Sequence, residues 1–177
     1  MDADRGLIQI VDAALAEAER KAGPWLACRP GCTACCMGPF PITAEDAARL
    51  REGLAGLDPE RARRVQRRAR ESIWRLERDY PGDTLARVLE EEDAAADEPC
   101  PALDPETGWC ELYSARPVTC RTFGPPLHFK GESMGICELC FQGAADDQIA
   151  ACEVEIDCVA AEFPRGGNTI VAYALCI

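Results

Sequence analysis

Cysteines carry the chemistry of this sequence. Cys28 to Cys36 reads C-R-P-G-C-T-A-C-C and places four thiols, Cys28, Cys32, Cys35 and Cys36, within nine residues. A thiolate is a strong ligand for soft metals, so thiols this crowded point to metal binding rather than packing. A disulfide uses only two of them, and neighbours such as Cys35 and Cys36 bridge each other poorly. Farther along come Cys100, Cys110, Cys120, Cys137 and Cys140. Cys32-x2-Cys35 and Cys137-x2-Cys140 are two knuckles of the kind that pair into a tetrahedral sulfur site. Cys28, Cys36, Cys100, Cys110 and Cys120 would then supply a second centre. Alternatively, the first four thiols surround one iron–sulfur cluster. Spacing leaves the partition open. Cys35 and Cys36 are expected to point in different directions, serving two metals or one metal and one packing role.

The other candidates read as packing. Cys152 shares an apolar helical face with Ile149, Ile156 and Val159 and is expected in the core. Cys158 and Cys176 have no partner at ligand spacing. His128, between Leu127 and Phe129, reads as a packed histidine despite its taste for metals. The sequence has no other histidine for general-base work, no phosphate-cradling glycine loop and no nucleophile motif, so no catalytic residue is identified. A reactive function would have to reside in the metal centre. A thiol redox cycle is disfavoured because it employs two cysteines and leaves the others idle. Cys28-x3-Cys32-x2-Cys35 matches the spacing of radical S-adenosylmethionine enzymes. Those resemble barrels of strand–helix repeats, which this chain lacks.

Composition narrows the setting. The 177 residues include 12 cysteines and a formal net charge of -12. That charge argues against generic binding of nucleic acid or of anionic membranes. No apolar run follows a basic patch at the amino terminus, and no stretch approaches the ~20 apolar residues of a membrane span. The expectation is therefore a soluble, cytoplasmic protein. In that reducing compartment clustered cysteines mean metal or redox chemistry rather than a disulfide framework.

The elements that must position the thiols read as helices. Leu7, Ile8, Val11, Leu15, Ala18 and Ala22 form a helical stripe over residues 3–22, ended by Gly23-Pro24. Thr43 is expected to cap a helix to about Leu54, with Asp46 as its capping-box partner. Asp58-Pro59 opens a long helix to about Asp79, buried along Ala62, Val65, Ala69, Ile73 and Leu76. That helix carries eight arginines between Arg61 and Arg78. They read as a solvated face laced with Glu60, Glu71 and Glu77. Trp74, amid Arg63, Arg67 and Arg70, stands out as a surface for stacking or for an unknown protein partner. A short helix is expected from Thr84 to about Glu92, a loop from Glu91 to about Pro105, and a helix broken at Pro117 between Leu112 and Phe123. A further helix is expected over Asp146–Phe163, and Asn168 is expected to cap an apolar segment from Thr169 to Ile177. No alternating run is long enough for a sheet.

Ten of the 13 prolines lie close to a candidate ligand cysteine, which suits loops held rigid around a centre. The expected fold is thus mainly α, a small helical domain whose irregular cysteine-rich loops enclose a metal site. Residues 1–177 form a single domain in this reading. The cysteine-cluster region is 25–140, and a C-terminal helical segment at 146–177 packs on it.

Taken together, Cys32-Thr-Ala-Cys35-Cys36, Cys100-Pro101-Ala-Leu-Asp104 and Cys110-Glu-Leu-Tyr113-Ser-Ala-Arg116-Pro117-Val-Thr-Cys120-Arg121 resemble the CxxCxxCC family of zinc- or iron-chelating cysteine-cluster proteins. The resemblance covers roughly residues 25–140. It implies that Cys32, Cys35, Cys36, Cys100, Cys110 and Cys120 are metal ligands, joined by Cys28 and one of Cys137 or Cys140. A domain of this kind is associated with flagellin lysine N-methylase, where an iron–sulfur cluster is the expected cofactor. Among the residues of the motif, Arg116 and Arg121 are placed to offset thiolate charge or to hold carbonyls behind the ligands, and Tyr113 to donate to a sulfur. Pro117 restricts Arg116 to extended geometry. Surface pairing with Asp104 or Glu111 is the competing role for the two arginines.

Overall fold

The computed structural model describes residues 2–29, 31–91, 93–157 and 167–176. Among them are seven helices: α1 (Asp2–Ala22), α2 (Ala44–Ala55), α3 (Pro59–Asp79), α4 (Thr84–Glu90), α5 (Val118–Thr122), α6 (Asp146–Cys152) and α7 (Val171–Leu175). Three short strands accompany them: β1 (Leu127–Phe129), β2 (Glu132–Ser133) and β3 (Val154–Glu155). The architecture is mainly α, as the periodicity predicts. The chain divides into two compact units, Met1–Arg29 with Val118–Pro164 and Pro30–Pro117 with Arg165–Ile177.

In the first unit α1 lays Leu7, Val11, Ala14 and Ala18 on Val118, Leu127, Phe129 and Ile156. The strand order is β2-β1-β3, with β1 antiparallel to β2 and parallel to β3. Strands of two or three residues are too short to show alternation, so the sequence pattern does not reveal them. The expected helix over Asp146–Phe163 stops at Cys152. Glu153 turns extended, and the Val154 and Ile156 N–H groups donate to the carbonyls of Pro126 at 3.1 Å and His128 at 2.7 Å. Sheet pairing of β-branched residues replaces the helical bonds there. Cys158 and the rest of that expected helix to Phe163 lie outside the described residues. A second apolar cluster joins Ala22, Cys137, Cys140, Phe141 and Cys152.

In the second unit α2, α3 and α7 bury Ile42, Leu50, Leu54, Val65, Ala69, Val171, Ala174 and Leu175 together with Leu112 and Ala115. The start of α2 is built as its sequence dictates. Asp46 donates its N–H to the Thr43 hydroxyl at 3.0 Å, and the Asp46 carboxylate accepts the Thr43 N–H at 3.2 Å. Asp58 caps α3 by accepting from Glu60 N–H at 2.9 Å, with Pro59 as first helical residue. Asn168 does not cap α7. Ile170 holds the cap position with no side-chain bond, because Thr169 is drawn into a β-bridge with Ile42. Trp74 is 62% exposed, and the guanidinium over its ring is that of Arg78, at 5.1 Å. Among the described residues no helix is long and apolar enough to cross a membrane.

Candidate metal centre

Two segments of the second unit bring four of the thiols within electrostatic reach of one another. Cys35 and Cys36 occupy a 3-10 turn, Ala34–Cys36, whose Cys36 N–H donates to the Thr33 carbonyl at 2.8 Å. The turn brings the two thiols into hydrogen-bond contact. This reverses the expectation that they diverge. Neighbouring side chains point apart on an extended strand, whereas a tight 3-10 turn lets two short ones meet.

Cys100 joins that turn through the backbone, donating its N–H to the Cys36 carbonyl at 2.8 Å, and Met37 bridges to Pro99 alongside. Cys110 follows by a β-bridge to Leu103, whose own N–H donates to the Cys100 carbonyl at 2.9 Å. Cys100 and Cys110 pack against the helical core of this unit. Cys32 belongs to the same unit, on the Gly31–Thr33 stretch. Gly108 takes φ +71° there, and a Cβ on it would stand 3.4 Å from the Gly31 backbone. That close approach rests the Cys32 stretch two residues before Cys110.

The protonation of the four thiols is unequal. The Cys36 hydrogen bond, aided by the charge of Arg116, holds Cys35 down to about 6. The same bond and burial push Cys36 up. Burial pushes Cys100 up to about 12, and burial also raises Cys110. A buried thiol resists ionisation because the thiolate loses its water. A cation in the site would remove that resistance, since a coordinating thiol is deprotonated outright.

Helix α3 secures both cysteine segments. Arg68 donates from Nε to the Pro101 carbonyl at 2.9 Å and from Nη2 to the Glu111 carboxylate at 2.6 Å. Pro101 follows Cys100 and Glu111 follows Cys110, so one guanidinium ties the two segments together. Arg61 and Arg64 also reach Glu111, each at 3.4 Å, and Arg75 pairs with Glu98 at 2.7 Å. Sequence reasoning misses this role for the arginines. The signal is present: Arg61, Arg68 and Arg75 recur every seven residues and share one face of the helix. Arg116 is extended, as Pro117 requires, and its guanidinium lies 3.9 Å from the Tyr113 ring centroid. The Arg116 carbonyl accepts from Arg49, whose guanidinium also pairs with Asp46 at 2.8 Å. Tyr113 itself is 59% exposed.

The first unit holds Cys28, Cys120, Cys137 and Cys140. The Cys28 and Cys140 sulfurs are 4.0 Å apart. Cys140 donates its N–H to the Cys137 carbonyl at 2.8 Å, closing the second knuckle as a tight turn, and Cys137 donates to Gly124 at 3.3 Å. Cys120 lies on α5. Arg121, 4% exposed, pairs with Asp12 of α1 at 2.5 Å. Cys152 is buried, and its thiol donates to the Lys21 carbonyl at 3.5 Å, a packing role as its face predicts. The His128 ring faces Glu153 at 3.3 Å. None of the eleven described cysteines Cys28, Cys32, Cys35, Cys36, Cys100, Cys110, Cys120, Cys137, Cys140, Cys152 and Cys176 is in a disulfide. Among the described residues no three His, Cys, Asp or Glu side chains are grouped so that they could hold a metal ion.

Residues 27–140 match the family model of CxxCxxCC, "Putative zinc- or iron-chelating domain". No curated protein and no solved structure matches the chain.

Proposed function

This chain belongs to the CxxCxxCC family of metal-chelating domains, and from that premise we propose that it holds zinc or iron through Cys35, Cys36, Cys100 and Cys110, with Cys32 alongside as a further thiol. The carrying observation is the convergence of these thiols from segments some 65 to 75 positions apart in sequence, tied by the Cys100 N–H to the Cys36 carbonyl. The donor set fits: all-sulfur ligation suits zinc or an iron–sulfur cluster and disfavours magnesium or calcium. Arg116 supplies positive charge beside Cys35 and Cys110, partly offsetting the thiolates. Tyr113, stacked on Arg116, fixes that charge in place. When bound, the metal would give the loops a covalent-like anchor and, as an iron–sulfur cluster, an electron-transfer group.

Anaerobic purification with elemental analysis, acid-labile sulfide and a visible spectrum tests the reading. Stoichiometric zinc in colourless protein assigns a zinc centre. Brown colour with sulfide, bleached by reductant, assigns a cluster. Folded protein that neither carries nor takes up metal overturns the proposal.

A second reading, a metal-stabilised module that docks a protein partner in the cytoplasm, rests on α3. Its inward arginines are engaged with Glu98 and Glu111, while the exposed Arg63 and Arg70 make no ion pair among the described residues and flank exposed Trp74. Exposed tryptophan and arginine are the residue types that dominate interface energetics. Photo-crosslinking from position 74 in cells should trap a specific protein and should fail in Arg63→Glu/Arg70→Glu. Absence of any crosslink removes this reading.

A further inference from the structure

We propose that Cys28 and Cys140 form an oxidation site, at which a small-molecule disulfide such as glutathione disulfide converts the two thiols into an intramolecular disulfide. The pair lies wholly within the Met1–Arg29/Val118–Pro164 unit. It shares no residue with the metal centre proposed above, so the inference stands apart from that reading. A redox role confined to these two thiols leaves the thiols of the other unit to the metal.

Proximity supplies the first argument. The Cys28 and Cys140 sulfurs are in hydrogen-bond contact at 4.0 Å, although 112 positions separate them in sequence. A disulfide bond is about 2.05 Å long, so closing it takes an approach of about 2 Å. The backbone already holds the two partners side by side. Phe141, next to Cys140, donates its N–H to the Trp25 carbonyl at 2.8 Å, and the two rings stack at 6.4 Å. Cys28 follows that latch within the same short segment. Rotation of the exposed Cys28 side chain supplies the remaining approach, and Gly124 leaves it room to turn. A Cβ on Gly124 would stand 3.0 Å from the Cys28 sulfur.

Unequal access supplies the second. Cys28 is exposed, whereas Cys140 is 5% exposed, in a cluster with Ala22, Cys137, Phe141 and Cys152. A dissolved disulfide therefore reaches the first sulfur and not the second. Cys28 gives its proton to solvent, and its sulfur attacks one sulfur of glutathione disulfide, because the thiolate is the nucleophile in such exchange. The S–S bond of the reagent breaks, and one glutathione leaves as thiolate and takes up a proton. The Cys140 sulfur then attacks the Cys28 sulfur of the mixed disulfide, its own proton passing to the second glutathione as it leaves. Two electrons and two protons pass from the protein to glutathione disulfide, which ends as two molecules of glutathione. The oxidised pair fastens the Trp25–Cys28 segment covalently to the second knuckle, and reduction releases it. Cys152 does not compete for Cys140, because its thiol is turned to the Lys21 carbonyl at 3.5 Å.

The test equilibrates the full chain, loaded with zinc and freed of excess, with glutathione buffers of graded ratio. Alkylation then traps the remaining thiols for mass-spectrometric mapping, and cleavage after Glu138 parts Cys137 from Cys140. The wild-type chain should show Cys28 linked to Cys140. Cys140→Ser should stop at a glutathione adduct on Cys28, and Cys28→Ser should carry no adduct on Cys140. Cys137→Ser should still form the link. Folded protein should close the link in a buffer at least about tenfold more reducing than the same chain needs in urea, where the two sulfurs return to the ends of a long loop. Cys28 linked to any other cysteine, a glutathione adduct that persists on wild-type Cys28, or closure at the same ratio with and without urea overturns the inference. Protection of both Cys28 and Cys140 by zinc overturns it too, by assigning those sulfurs to the metal.

Discussion

The backbone N–H of Cys100 points at the carbonyl of Cys36, 2.8 Å away. That one bond joins the proline- and glycine-rich start of the cysteine cluster to a loop more than sixty positions later. Everything proposed for the thiols of this unit depends on that junction holding, and α3 is what holds it from behind.

Removing the brace should loosen it. Arg68 is the half-buried guanidinium shared by the Pro101 carbonyl and the Glu111 carboxylate, and Glu111 is 5% exposed at its side chain. Arg68→Ala removes the shortest of the three guanidinium contacts to Glu111 together with the bond to the Pro101 carbonyl, and is expected to cost about 2 kcal/mol of stability. Thermal unfolding of the metal-free chain reads this directly. Arg63→Ala, on the solvent side of the same helix, should change stability by no more than about 0.5 kcal/mol. Equal effects at the two positions would contradict the bracing role.

Arg116 is expected to act on metal affinity more than on folding. Arg116→Gln removes the positive charge beside Cys35 and Cys110 and should weaken metal binding by roughly tenfold, the scale on which groups behind the ligands act. Arg116→Lys keeps the charge but gives up the planar stack on Tyr113 at 3.9 Å, and should fall between the two. Competition against a chromophoric chelator measures all three. Identical affinities would leave Arg116 no role at the site.

In the metal-free chain the thiols should react in a fixed order. With Cys35 held down to about 6 by its bond from Cys36, alkylation near neutral pH should label Cys35 well before Cys36 and Cys100, both of which are pushed up. Stability follows from the same shifts. The lowered Cys35 contributes stability that is present above the ordinary thiol value of 9.0 and is lost as pH falls through about 6. Cys100 does the opposite. Unfolded chains release that proton near 9.0 and folded ones near 12, so its contribution is lost as pH rises across that interval. Denaturant unfolding of metal-free protein on both sides of these windows checks the signs.

Cys152 separates packing from ligation. Its thiol is buried and donates to the Lys21 carbonyl at 3.5 Å. Cys152→Ala should cost about 1 kcal/mol through the small cavity it leaves, with metal content unchanged. A drop in bound metal would make Cys152 a ligand instead.

The sequence by itself determined the local elements and the chemistry. The stripe on α1, the Thr43 and Asp58 caps and the apolar face of α3 were legible because each depends on residues within a turn or two of one another. The thiols announced metal because no other residue pattern in the chain offers comparable reactivity, and the C-x2-C-C and R-P-x2-C-R motifs placed it in its family. Tertiary structure alone decided who meets whom. Spacing left the partition of the thiols open, whereas the fold sets Cys36, Cys100 and Cys110 within electrostatic reach of Cys35 inside its own unit. The neighbour found for Cys140 is Cys28. Such partners are set by loop closure over tens of residues, which leaves no periodic trace in the sequence. The short strands around His128 and the end of α6 were hidden for a related reason, since their hydrogen bonds run to distant backbone. Gly124 is the clearest case. Its identity is plain in the sequence, but the reason for it, a Cys28 sulfur where a side chain would be, exists only in the fold.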